Sequence, residues 1–268
     1  MQNLEFKVDK EKCIKCGLCI KDCFLKVINS DDDGYPCVND ETFCIGCQHC
    51  LAICPKSAIS VFGKNPDASS EIGNKTSPEE LENLIKARRS CRHFKQENID
   101  SETMNKLKNI LNWTPTGVNF RGLHFTIVED LEKMKSIKEK VYQKLKFILK
   151  FMPLKKSLKP YKDAILSGND IMFRNAPHMI AVSVDKASPC KEIDPVITLS
   201  YFELYAQSLG IGTLWCGIAF KLLPFSKEVM KEFKIPKNHK LGYVMLFGKP
   251  DIQYKRTIQP DKYDITVL

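Results

Sequence analysis

With 268 residues, 43% hydrophobic and 27% charged, the chain exceeds one typical domain and has the composition of a folded globular protein, which excludes fibrous and disordered classes. No stretch approaches the roughly 20 apolar residues of a membrane helix, and the opening MQNLEFKVDKEK lacks the apolar core of a secretion signal, so no membrane association and a cytoplasmic location are expected. The net charge of +9 is uneven: residues 1–62 carry seven Lys against nine Asp or Glu, and because no recognition motif accompanies the basic remainder, nucleic acid is not an expected partner.

Nine of the twelve cysteines precede residue 55. A reducing compartment disfavours disulfides, so this concentration points to metal. Two blocks, FKVDKEKCIKCGLCIKDC and CVNDETFCIGCQHCLAICP, repeat with an offset of 31 residues from Cys13 to Cys44. Each predicts a strand-like entry (Phe6 to Val8, Cys37 to Asn39) and a short helix (Leu18 to Cys23, His49 to Cys54).

The spacing Cys13-x2-Cys16-x2-Cys19-x3-Cys23 followed by Cys44-x2-Cys47-x2-Cys50-x3-Cys54-Pro55 resembles bacterial two-cluster ferredoxins over roughly the first 60 residues. In that pattern the fourth cysteine of each run ligates the opposite 4Fe-4S cluster. One ligand set is then Cys13, Cys16, Cys19 and Cys54, the other Cys44, Cys47, Cys50 and Cys23. A pair of zinc sites is the alternative use of closely spaced cysteines. Phe24 stands where the ferredoxin run usually has proline. Cys37 and His49 fall outside the ligand pattern and read as packing or hydrogen-bonding residues. So small a domain cannot be held by hydrophobic burial alone, so the clusters are expected to staple it.

Residues 63–76, GKNPDASSEIGNKT, offer almost nothing to bury and read as a linker between a domain at 1–62 and another at 77–268. Ser77, Pro78 and Glu80 form a capping box that opens a helix, with Leu81, Leu84 and Ile85 as its predicted core face. A second helix fits 101–112 on Met104, Leu107, Ile110 and Leu111. Strands are predicted at His124 to Val128, Met179 to Val184 and Leu241 to Phe247, and a helix from Pro195 to Leu209 stopped by Gly210. The Lys-rich run from Lys133 to Lys162, with Tyr142, Phe147, Ile148, Leu149, Phe151 and Met152 interleaved, predicts an amphipathic helix with a solvated face. The fold class is α+β, with helices around a mixed sheet.

In ARRSCRHF, residues 87–94, three arginines surround a serine, a set of forked donors suited to a phosphate dianion. After it come TPTGVNFRGLHF (114–125), FRNAPHMIAVSVDK (173–186), DPVITLSYFELYAQSLGIGTLWCG (194–217) and GYVMLFGKPDIQYKR (242–256). Together, in this order, they resemble the nitroreductase family over roughly residues 79–260. The resemblance implies an FMN-binding α+β fold, an intertwined homodimer, and a flavin at each subunit interface. Arg88, Arg89, Ser90 and Arg92 then correspond to phosphate and ribityl contacts, with Arg256 and Lys255 completing the phosphate site. Pro115, Thr116, Gly117 and Asn119 match the loop that reaches the flavin from the partner subunit, Trp215, Cys216, Gly217 and Ile218 the segment near the isoalloxazine, and Asn169 a ring contact.

The family's usual Gln-Pro-Trp after the asparagine loop is replaced by Arg121-Gly122-Leu123, which leaves Arg121 either beside the flavin or in a surface ion pair. Cys91, Cys190 and Cys216 read as small buried hydrophobes. The Lys-rich helix coincides with the family's variable insertion over the active site, a lid or a docking surface for an acidic partner. No acid–base pair is evident, so no catalytic residue is assigned. Clusters move single electrons and FMN collects two, so the expected function is reduction of an electron-poor small molecule (nitroaromatic, quinone or enone), with reduced ferredoxin or NAD(P)H as donor. The competing expectation is a relay or redox-sensing module that serves a protein partner without small-molecule turnover.

Overall fold

In a computed structural model, which describes residues 3–151 and 159–268, the contacts divide the chain into two units, Met1–Lys75 and Thr76–Leu268. In the first, β1 (Lys7–Val8) pairs antiparallel with β4 (Ile59–Ser60), and β2 (Ile28–Ser30) with β3 (Pro36–Val38). The short helices α1 (Leu18–Asp22) and α2 (His49–Ala52) carry the third cysteine of each run. Leu4, Ile28, Leu51, Ile59 and Val61 are buried together with Cys19.

The duplication extends to backbone conformation. Lys15 (φ 55°) and Gly46 (φ 67°), Gly17 (φ 71°) and Gln48 (φ 61°), and Lys26 (φ 53°) and Ser57 (φ 48°) all lie in the left-handed region at matching positions of the two runs. Each non-glycine there costs on the order of 1 kcal/mol, which the surrounding structure must offset. The turn after Cys23 forms without the usual proline: Lys26 N–H donates to the Cys23 carbonyl at 2.8 Å, as Ser57 N–H does to Cys54 at 3.2 Å. Part of the segment expected to be linker folds locally, with Pro66–Ala68 in a 3-10 turn capped by Asn65 and Asp67 paired with Lys12 at 2.9 Å.

The second unit is built on four strands, β5 (Leu123–Val128), β6 (His178–Asp185), β7 (Gly212–Trp215) and β8 (His239–Gly248), in the order β5-β6-β8-β7. Where a mixed sheet is expected, these ladders are all antiparallel, and among the described residues the parallel component is one bridge between Ser90 and Thr213 at the β7 edge. Alternation along the two central strands feeds two cores. Met179, Ala181, Val244 and Leu246 face one side, and Ile180, Val182, Met245 and Phe247 face the other. The first side is covered by α5 (Leu131–Phe151), α8 (Gly217–Leu222) and α9 (Lys227–Glu232), the second by α4 (Ser101–Ile110) and α7 (Asp194–Ser208). The sheet is thus sandwiched between helices, and the turn after α7 is closed by Gly210 at φ 73°.

Three expectations need amendment. The capping box at Ser77 forms and opens α3 (Pro78–Ala87), but of its predicted core face only Leu84 is half-buried, while Leu81 and Ile85 are left 46% and 51% exposed by the described residues. The Lys-rich stretch is two helices, α5 and α6 (Lys159–Leu166), and residues 152–158, Met152 among them, lie outside the described residues. Strand β7 was not expected at all.

Candidate functional site

The eight run cysteines line two small cavities in the first unit. Cys13, Cys16, Cys19 and Cys54 border one; Cys23, Cys44, Cys47 and Cys50 border the other. Each cavity therefore takes three cysteines from one run and the fourth from the other, as the two-cluster pattern requires. Burial pushes the Cys50 thiol up to about 12 and raises Cys19 above its ordinary value, so a cluster binding there must displace protons from reluctant thiols. Ala58 N–H donates to Cys54 Sγ at 3.2 Å, a bond that suits a thiolate ligand. His49 pairs with Asp22 at 3.3 Å and Cys37 Sγ contacts Asn39 Oδ1 at 3.7 Å, so both have the packing and hydrogen-bonding roles expected of them.

In the second unit, Arg88 terminates α3 and Ser90 bridges Thr213 on β7, while Cys91 N–H donates to the Thr213 carbonyl at 2.8 Å. This anchoring carries the arginine segment along the sheet edge. Arg89 Nη1 donates to the Arg88 carbonyl at 2.5 Å, and its Nη2 is buried without a partner. An orphaned guanidinium nitrogen is costly to bury and is satisfied by an anion, so the residues present fit a phosphate. Arg92 is exposed, with Nη1 at 3.5 Å from the Ser90 carbonyl. Lys255 and Arg256 are exposed in the irregular segment after β8. That segment starts beside the arginines, since Asp251 N–H donates to the His93 carbonyl at 3.0 Å.

The loop of Pro115, Thr116, Gly117 and Asn119 is held by α7. Gly117 N–H donates to Oδ1 of the buried Asp194 at 2.9 Å, and the Thr114 and Thr198 hydroxyls meet at 3.1 Å. A Cβ on Gly117 would lie 2.4 Å from Cys190 Sγ, so only glycine permits this approach. Arg121 makes no ion pair among the described residues. Its guanidinium donates to the carbonyls of Thr114 (3.0 Å) and Asn112 (2.7 Å), tying down the loop's entry.

Trp215 closes β7, its Nε1 donating to Glu203 Oε2 at 3.0 Å and its ring packed against Tyr243. Cys216 is buried at the start of α8, as expected of a small hydrophobe. Its thiol is pushed up to about 11 by burial and donates to the Met172 carbonyl at 3.2 Å. A Cβ on Gly217 would meet Tyr243 Oη at 3.2 Å. Asn169 is exposed, its side chain on Ser167 Oγ at 3.4 Å. Its neighbour Asp170 organises the turn, accepting from Tyr142 Oη (2.6 Å) and from the N–H groups of Phe173 (2.8 Å) and Asn175 (2.9 Å).

Sequence reasoning missed Asp170, Asp194 and Glu203. The signal for the last two lay in α7, where Asp194 and Glu203 are the two charged residues of the helix and both are buried.

The family model for the nitroreductase family matches residues 85–249. The chain belongs to the nitroreductase family. A 4Fe-4S dicluster domain matches residues 12–59. A nitroreductase with bound FMN from Desulfitobacterium hafniense superposes with a TM-score of 0.58 at 26% identity, covering 70% of this chain and 98% of that one. Iodotyrosine deiodinase from Thermotoga neapolitana is 24% identical over 176 residues, 64% of this chain and 89% of that protein. Ferredoxin-3 from a Nostoc species is 37% identical over 70 residues, 20% of this chain and 72% of that protein. The protein is a nitroreductase-family flavin oxidoreductase fused to a ferredoxin domain, with FMN and two 4Fe-4S clusters as cofactors. No helix among the described residues is long and apolar enough to cross a membrane.

Proposed function

We propose that this nitroreductase-family protein reduces an electron-poor small molecule at its flavin, with the ferredoxin domain as the port through which single electrons enter or leave. The observation that carries the reading is the presence, on one chain, of two cavities each bordered by four cysteines and of a buried, unpartnered Arg89 nitrogen in a nitroreductase fold. Cys13, Cys16, Cys19 and Cys54 hold one cluster and Cys23, Cys44, Cys47 and Cys50 the other. Arg88, Arg89, Ser90 and Arg92, joined by Lys255 and Arg256, receive the FMN phosphate. Pro115, Thr116, Gly117 and Asn119 approach the flavin of a second copy, while Trp215, Cys216 and Gly217 lie beside the ring and Asn169 at its edge.

When bound, FMN accepts electrons singly and releases them singly or in pairs, which adapts one-electron clusters to two-electron substrates. The chain's task is binding and orientation. Asp194 and Arg121 fix the loop, and burial keeps the Cys216 thiol protonated and unreactive at neutral pH. A homodimer is supported by the uncovered stripe of Leu81 and Ile85 and by the exposed apolar residues of the C-terminal segment, Ile258, Tyr263, Ile265 and Val267.

The test is anaerobic turnover with NADH, NADPH or reduced ferredoxin as donor against nitroaromatics, quinones and enones; the deiodinase relative adds an iodinated tyrosine to the panel. Saturable reduction of at least one acceptor class is expected. Rapid flavin reoxidation by a partner protein, with no saturable small-molecule turnover, would replace this reading with the relay.

A further inference from the structure

Glu203 lies on α7, only 7% exposed, yet it is not an ordinary core residue. Its Oε1 accepts from Arg88 Nη1 at 3.2 Å and from Thr213 Oγ1 at 3.0 Å, and its Oε2 accepts from Trp215 Nε1 at 3.0 Å. We propose that Glu203 is the positioning residue of the FMN site, one buried carboxylate that holds Arg88 at the phosphate end and Trp215 at the ring end in a single network. This rests on the flavin reading above.

The chemistry of the partners requires a group that only accepts. An indole N–H and a guanidinium can donate but never accept, so both sides of the residue at 203 must be acceptors. A glutamine there must turn its amide N–H towards either Arg88 or Trp215 and set two donors face to face. A leucine would leave a partly buried guanidinium and an indole N–H without partners, which costs more than the bonds themselves contribute.

The clamp on Arg88 does not use it up, since 34% of its side chain remains exposed. The network also continues into the backbone. Thr213, which donates to the carboxylate, accepts the Cys91 N–H at 2.8 Å and pairs with Ser90. Glu203 therefore fixes the frame on which residues 88–91 sit, and within that frame the Arg89 nitrogen is left free for an anion. Glu203 touches no expected cofactor atom itself; it acts through Arg88 and Trp215.

The chain has two tryptophans, so Trp113→Phe makes Trp215 the sole indole reporter. In that background, iron-loaded and flavin-depleted full-length protein is titrated with FMN, and Trp215 emission is recorded before flavin is added. Glu203→Gln is expected to weaken FMN roughly tenfold and to shift Trp215 emission, because charge-assisted bonds are lost on both sides. Glu203→Asp, which keeps the charge, is expected to fall between Gln and wild type in both readouts. In an Arg88→Ala background, Glu203→Gln should cost clearly less FMN affinity, about threefold, since the Arg88 arm is already cut and only the Trp215 arm remains. Should Glu203→Gln fail to fold, Glu203→Asp carries the same cycle with a smaller loss that also shrinks without Arg88. An equal loss with and without Arg88, or unchanged affinity in Glu203→Gln, overturns the proposal. A wild-type chain that binds no FMN refutes the flavin reading instead, so the two failures are distinguishable.

Discussion

The two units of this chain solve the problem of stability in opposite ways. Met1–Lys75 buries one small apolar cluster, with strands two or three residues long and several non-glycine residues in left-handed conformations. Thr76–Leu268 sandwiches a four-stranded sheet between helices and fills a core on each face. The first fold is expected to depend on what its cysteines bind, whereas the second has two packed cores of its own. The buried polar groups follow the same division. In the first unit the polar groups that converge are thiols around cavities, of which Cys19 is buried, whereas in the second they are buried side chains such as Asp194 and Glu203, which hold neighbouring residues in place.

This contrast breaks most readily by removing iron. Anaerobic chelation is expected to unfold the first unit completely while the second keeps FMN and its cooperative transition, because structural metal binding and folding are one equilibrium. Far-UV circular dichroism of the whole chain shows the first change. Trp113 and Trp215 both lie in the second unit, so their emission reports the second alone. A simultaneous loss of both would show that the units are not independent.

The next largest effect is in the opposite direction. Leu107 is fully buried on α4, and Leu107→Ala is expected to cost about 3–4 kcal/mol in the tryptophan-detected urea transition while leaving iron content unchanged. A fall in iron per chain would contradict the separation.

A pH dependence sharpens the account of the second core. His178 is buried against Phe247 and its Nε2 accepts the Ile99 N–H at 3.1 Å, so protonation would break that bond. Burial lowers its pKa to about 4, against the weaker opposing pull of the Val128 carbonyl, Asp130 and Glu129. The folded state resists a proton that the unfolded chain accepts near pH 6.5. Stability is therefore whole above that pH and falls as the pH drops towards 4, by roughly 3 kcal/mol at the low end. Urea midpoints from pH 7.5 to 4.5 should show this slope, and His178→Gln should flatten it. The smallest effect is at the N-terminus of α3, where Ser77→Ala removes the capping box and should cost about 1 kcal/mol locally, read as faster amide exchange over the first turn.

The cysteine spacing carried the first unit almost entirely in sequence, because ligand geometry leaves few arrangements for eight thiols in two matching runs. The central strands were legible for a different reason: β-branched and apolar residues run without a break where both faces are covered. What stayed hidden depends on partners far along the chain. The stripe of Leu81 and Ile85 has helical period, but period gives sidedness and not what lies opposite. Strand β7 is only four residues, Gly-Thr-Leu-Trp, and pairs through contacts with β8 that no local pattern encodes. Arg121 sits among flavin-loop residues in sequence, yet its planar fork matches two carbonyls of its own chain. Glu203 forms its three bonds with residues 10, 12 and 115 positions away.

The measurement that bears most directly on the union of the two units is anaerobic rapid mixing of the fully loaded protein with a one-electron reductant, following cluster and flavin absorbance separately. In the wild type, cluster bleaching is expected first, followed by flavin reduction at a rate independent of protein concentration. In Cys16→Ser and Cys47→Ser, which each remove a ligand from one cavity, that concentration-independent phase should be lost while FMN stays bound. Flavin reduction at the same rate in the wild type and in both variants would contradict it, because electrons would then be reaching the flavin without passing through the clusters.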